Sequence, residues 1–340
     1  MQISYGWRQS NADTSYFGSH INHSFTDRWR PFQRLSIMDV TARYRISPRV
    51  SIAVTLPIAD NKFSLVLPPD GPGGTRHNIL ANGIGDVSIF AQSWLFKPKD
   101  HPFANIALGV GIKTPTGRFN VQTNLPNENG LGYMKRVAFP PSIMPGDGGT
   151  GIILGVEGFK NIRKPLYLRG QTVFASASYL INPRDTNGTA SINQSLGVPL
   201  APNFANSLYN SVTDSYNIQA GASIKLPYTW DKPLVKGLRG RLVWGMQGIP
   251  RHDLIGHSDG LRSAGYIMSI APGMTYAHGN NYYIVEVPIT FSRYIYANDT
   301  AVAELPIMTP QGPSPAPLNR TNNLGMVAPV AIAMRYVRTF

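Results

Sequence analysis

Through most of this chain apolar residues recur at every second position, and no apolar run approaches the ~18 residues that a membrane-crossing helix needs. Within Phe103–Pro115, Ala104, Ile106, Leu108, Val110 and Ile112 oppose Asn105, Ala107, Gly109, Gly111 and Lys113. Within Asp214–Tyr228, Tyr216, Ile218, Ala220, Ala222, Ile224 and Leu226 oppose Asn217, Gln219, Gly221, Ser223 and Lys225. The last stretch, Gly325–Phe340, sets Val330, Ile332, Met334 and Tyr336 against Ala331, Ala333, Arg335 and Thr339, with Val337 the exception. Period two is the mark of a strand with one apolar face. At roughly 10–15 residues these strands are long beside the soluble mode near 5–6, and they suit a tilted strand crossing a bilayer.

The remaining strands read as Gln2–Ser10, Ser36–Ser47, Arg49–Ile58, Gly83–Phe96, Gly149–Lys160, Leu166–Ile181, Leu238–Ile249, Ala264–Tyr276 and Tyr282–Ser292. The pattern leaves the facing of Leu166–Ile181 open. That makes about twelve strands, an even number. The connections alternate. Asn11–Leu35, Ala59–Asn82, Thr116–Gly148, Asn182–Thr213, Pro250–Ser263 and Arg293–Leu324 are long. Ser47–Pro48, Lys97–His101, Asn161–Pro165, a turn ending near Lys236, and Ala277–Asn281 are short. A β-sandwich also alternates hydrophobicity, but it has no need of six long loops at one end. The expected fold is therefore all-β: one domain over residues 1–340, an antiparallel transmembrane β-barrel with short periplasmic turns and long extracellular loops, in a bacterial outer membrane. The first strand and the last would close it.

Composition agrees. Mean hydropathy is −0.13, near neutral as alternating strands require. The chain has 340 residues and no Cys, which excludes disulfide, thiolate–zinc and redox-thiol designs. Met1 runs directly into strand residues with no visible leader, as in a mature or shortened chain or a cytoplasmic one. The net charge of +13 is spread along the chain, whereas a nucleic-acid binder concentrates its cations in a patch or arm. No nucleic-acid partner is expected.

Charges on barrel strands should face inward, because at the bilayer midplane they cost a few kcal/mol. Alternation puts Asp39, Arg43, Arg45, Asp86, Lys113 and Glu157 on the inner face in the first half of the chain, and Lys225, Arg239, Arg241, Glu286 and Arg335 in the second. A basic-leaning lumen attracts anions. Equally, these charges could pair and fill a barrel whose size lies between the filled eight strands and the aqueous sixteen. Other motifs have simpler readings. Gly109–Gly117 lacks the Gly-Lys of a phosphate loop, and its glycines allow curvature or make room inside the barrel. Asp147, Asp185 and Asn187 fit Asx and Gly turns better than a calcium loop. His252, Asp253, His257, Ser258 and Asp259 have triad residue types but no nucleophile elbow, and His20 and His23 sit in a polar loop. No enzyme chemistry, metal or cofactor is expected. Tyr5, Trp7, Trp94, Phe96, Tyr228, Trp230, Tyr276, Tyr282, Tyr283, Tyr294 and Tyr296 lie near strand ends, as interfacial girdles do.

Five segments, GIGDVSIFAQSWLF (Gly83–Phe96), GVGIKTPTG (Gly109–Gly117), PGDGGTG (Pro145–Gly151), SYLINPRDTNGT (Ser178–Thr189) and DLIGHSDGLRSAGY (Asp253–Tyr266), resemble the bacterial outer-membrane β-barrel family catalogued as phenol-degradation-pathway transporters. The likeness spans about Ser36 to Ser292. It implies passive uptake of a small aromatic or hydrophobic solute, with outer-membrane lipid and lipopolysaccharide as surroundings. Tyr336 and the terminal Phe340 resemble the signal read by the barrel-assembly machinery, although Arg338 stands where that signal usually has an apolar residue. Inner charge and family together point to an aromatic carboxylate. The alternatives are a non-conducting structural or docking barrel and a lipid-acting enzyme.

Overall fold

The computed structural model describes residues 1–66, 76–126, 134–138, 140–164, 170–191, 207–226, 237–296, 307–309, 312–314 and 325–340. Among these, twelve wall strands form a closed barrel. They are β1 (Gln2–Ala12), β2 (Phe32–Arg45), β3 (Val50–Val66), β4 (Arg76–Ile84, resumed at Ser88–Trp94), β5 (Ala104–Lys113) and β6 (Gly151–Asn161). The second half supplies β7 (Thr172–Ile181), β8 (Ser215–Lys225), β9 (Leu238–Ile249), β10 (Gly265–His278), β11 (Asn281–Glu286, resumed at Ile289–Ile295) and β12 (Ala331–Thr339). Each strand pairs antiparallel with its chain neighbour, and β12 returns to β1 through Gln2↔Thr339 to Ser10↔Ala331. Closure matters in lipid, where an unpaired backbone group costs several kcal/mol.

Both termini lie at the end of the short turns, with the Phe340 amide donating to the Met1 carbonyl (2.9 Å). That is the periplasmic end, and the long connections are extracellular. The outward face is an apolar band: Ile106, Leu108, Val110 and Ile112 are exposed while Asn105, Ala107, Gly111 and Lys113 are buried. At the periplasmic end Tyr276, Tyr283, Tyr336 and Tyr5 form a run of ring contacts across four strands, with centroids 6.2, 5.0 and 6.3 Å apart. Tyr266 and Tyr294 stack at 6.2 Å near the other end. These are the expected girdles. The register corrects the reading of Trp94, which shares the inward face with Gln92 and meets Phe159 edge-on at 5.7 Å. It also turns Tyr282 inward, opposite Ala277 and Val337. Tyr228 and Trp230 lie outside the described residues.

The extracellular side departs from the sequence reading. Ala59–Asn82 is not one loop: β3 runs on to Val66 and pairs with Arg76–Ile84, lifting a hairpin above the wall. The strand expected over Gly83–Phe96 is interrupted at 85–87, and that over Tyr282–Ser292 at 287–288, where Pro288 cannot donate to the ladder. Thr172 begins the strand expected from Leu166; residues 165–169 lie outside the described residues. Asn11–Leu35 contains α1 (His23–Trp29), capped by the Asn22 side chain accepting from the Phe25 amide at 3.2 Å.

These extracellular pieces share a small core. Phe63, Leu65, Ile79 and Ala81 of the hairpin are buried with Val121, Val137 and Ile143 of the connection between β5 and β6. Trp29, Met144, Ala190 and Met326 pack around them. Asn61 ties the cap to the wall, donating to the Ile143 carbonyl (2.8 Å) and accepting from the Ser36 amide (3.0 Å).

Candidate functional site

Inside the wall, large side chains face each other across glycines. Arg241 of β9 meets Glu286 of β11 across Gly273 of β10, where a Cβ would lie 2.8 Å from Glu286 Cγ. The same Arg241 guanidinium lies 4.1 Å from the Phe174 ring centroid, a cation–π contact. Phe174 in turn covers Gly221. Arg335 of β12 reaches Asp39 of β2 (3.7 Å) across Gly6 of β1, whose Cβ would collide with the Asp39 carboxylate. Phe90 of β4 lies over Gly109 and Gly155. The glycines of β5 thus make room for a ring inside the barrel. The facing of β7, open in the sequence, is settled: Phe174 is inward and Val173 exposed.

These rows border a lumenal cavity of about 590 Å³. Asp39, Arg241, Glu286 and Arg335 line it, as alternation expected, together with Arg8, which sequence reasoning passed over. The signal was present: with Ile3, Tyr5 and Trp7 outward, Gly6 and Arg8 must face in. Leu35, Ile37, Ile267, Met326 and Val327 give the cavity an apolar side.

The other expected charges go elsewhere. Glu157 accepts from the Gln92 side chain. Arg239 is a brace near the periplasmic rim, donating to the Gly170 carbonyl (2.8 Å), the Ser223 hydroxyl (2.8 Å) and the Ser223 carbonyl (3.0 Å). Lys225 lies against Gly170 in the same corner. Arg43 and Arg45 end β2 beside the periplasmic turn, Arg45 exposed. Tyr336 and Phe340 lie on the outward face of the closing strand, with the Tyr336 hydroxyl donating to Asn281 at 2.8 Å.

Asp86 and Lys113 belong to a buried network under the cap rather than to the cavity wall. Lys113 Nζ bonds both carboxylate oxygens of Asp147 and lies 3.5 Å from Asp86. Asp86 also accepts the amides of Gly117 (2.8 Å) and Asp147 (3.0 Å). Burial raises the Asp147 carboxyl above the usual carboxylate range, with Lys113 opposing. Asn182 continues the chain, donating through its side chain to Thr213 O (2.6 Å) and through its amide to Asp214 (2.6 Å). Asp214 accepts the Leu254 amide (2.8 Å), and its own amide donates to Asp253 (2.9 Å). Asp253 forms a buried pair with Arg262 (2.6 Å), which also donates to the Ser211 hydroxyl (2.8 Å). All five segments that carry the family resemblance therefore meet here, joining the wall to three extracellular connections.

Ser258, Asp253 and Asp185 are engaged in loop and turn contacts. The Ser258 hydroxyl accepts from the Asp253 amide (2.9 Å) and lies 3.3 Å from the Asp253 carboxylate, which Arg262 engages. Asp185 accepts the amides of Asp259 and Gly260 (2.9 and 3.1 Å), as turn chemistry expects.

No protein-family model and no curated protein sequence matches the chain. Among solved structures it is similar to the COG4313 outer-membrane channel from Pseudomonas putida F1, with TM-score 0.55 and 12% identity, covering all of this chain and 95% of that one. It is more distantly similar to the Pseudomonas putida toluene transporter TodX, with TM-score 0.44 and 9% identity over 100% and 89%. The first likeness, with the closed wall and its apolar band, makes the fold plain: the chain is a bacterial outer-membrane β-barrel of twelve antiparallel strands.

Proposed function

We propose that the barrel is an outer-membrane channel for passive uptake of a small solute, and that the solute is an aromatic or hydrophobic anion. The observation that carries this reading is the lumenal cavity of about 590 Å³ lined by three guanidiniums, Arg8, Arg241 and Arg335, against two carboxylates, Asp39 and Glu286. A confined excess of positive charge raises local anion concentration. The apolar side of the cavity and the resemblance of five segments to phenol-degradation-pathway transporters support a hydrophobic body. The expected test is swelling of proteoliposomes. Benzoate should enter faster than a sugar of similar size, and equal rates would contradict the anion preference.

The cap supports a second reading, a barrel closed at rest. Its core and its polar network are as buried as those of a soluble domain, with Ile143 and Asp214 fully enclosed. If this reading holds, proteoliposomes of the intact protein stay impermeable to both solutes, and cutting the Lys113–Asp147 tie with Lys113→Ala opens them.

A further inference from the structure

We propose that the cavity binds one small monocarboxylate at a time, with Arg8 holding its charge; this deepens the passage reading above and rests on it. The charges that line the cavity do not balance. Arg241 is matched by Glu286, and Arg335 faces Asp39 at 3.7 Å. Arg8 is exposed to the cavity and forms no salt bridge among the described residues. Asp39 stands opposite Gly6, two residues before Arg8 on β1, and it is engaged by Arg335. One positive charge is left over in a space of about 590 Å³.

A guanidinium offers a planar fork that fits a carboxylate through two parallel hydrogen bonds. A single negative charge matches the excess, a dianion overshoots it, and a neutral solute leaves it unmatched. The rest of the ligand would lie against Leu35, Ile37, Ile267, Met326 and Val327, while Gln219 and Gln247 supply polar contacts. The volume is in the range that holds one compact organic molecule. The chemical class is therefore a monocarboxylate with one apolar body, such as a single-ring aromatic acid.

Equilibrium dialysis of radiolabelled benzoate against the detergent-solubilised full chain tests this. Binding should saturate at one benzoate per barrel, with phthalate and benzyl alcohol competing at least tenfold less well. Arg8→Gln should weaken binding tenfold or more, and Arg8→Lys should keep part of it. Asp39→Asn leaves Arg8 in place but adds a second unmatched positive charge, so phthalate should then compete better than before. Heat-dependent gel mobility establishes that each variant is folded. Binding that does not saturate, or that Arg8→Gln leaves unchanged, overturns the site. The swelling assay separates the two levels. A barrel that passes benzoate without saturable binding overturns the Arg8 site and leaves passage standing. One that binds benzoate through Arg8 but passes nothing keeps the site and overturns passage.

Discussion

The wall and the cap of this protein bury opposite kinds of residue. In the wall Leu108, Val110 and Ile112 are 51%, 54% and 53% exposed, while Asn105 and Lys113 on the same strand are 4% and 7% exposed. In the cap Phe63, Val137 and Ile143 are 1%, 0% and 0% exposed. One chain follows two rules because it meets two solvents. Lipid rewards an apolar outer face and a satisfied backbone, whereas above the membrane water drives apolar groups together. The wall saves space inside with glycine, and the cap saves polar groups with hydrogen bonds. The two should therefore fail separately.

The largest expected effect is in the cap. Asp253→Ala leaves Arg262 buried without its carboxylate; their side chains are 0% and 2% exposed, and breaking such a pair costs ~3–5 kcal/mol. Proteases should then cut the extracellular connection between β9 and β10 in reconstituted protein, while heat-dependent mobility of the barrel persists. Loss of both would show that wall and cap form one unit. Next comes the wall: Leu108→Arg puts a charge on the lipid face and should cost ~2–4 kcal/mol if it sits at the midplane. A lower urea midpoint for folding into vesicles, with unchanged protease resistance in the cap, is the predicted result. Gly221→Val is smaller, ~1–3 kcal/mol of overpacking, since a Cβ there would lie 2.7 Å from Phe174 Cζ. It should also displace the ring beneath Arg241, and altered conductance should accompany the stability loss. Smallest is Asp60→Asn. The Arg34–Asp60 pair at 3.1 Å is largely exposed, so folding stability should change by no more than ~1 kcal/mol and not at all in high salt.

The same contrast explains what could be read from sequence. Wall strands such as β5 and β8 were legible because every residue answers to lipid or to lumen, and alternation records the choice. It fails where β3 and β4 rise past the bilayer: Phe63, Leu65, Ile79 and Ala81 keep period two, but Asn61, Lys62 and the 67–75 connection make the stretch resemble a loop. Asp39, Arg241, Glu286 and Arg335 were found by parity alone. Arg8 was missed because the apolar face of β1 is weak, and Trp94 because its place near a strand end suggested a girdle although its parity with Gln92 points inward. Asp214 and Arg262 had no local signal. Their role arises when connections distant in sequence close over one another, and nothing in a single segment encodes that meeting.

A lumen that is a passage with an excess of positive charge sets the reversal potential of single channels in a planar bilayer under a salt gradient. Steady conductance with anion preference is expected, reduced in Arg8→Gln. Cation preference, or silence from inserted, heat-modifiable protein in both the intact and Lys113→Ala forms, would contradict it.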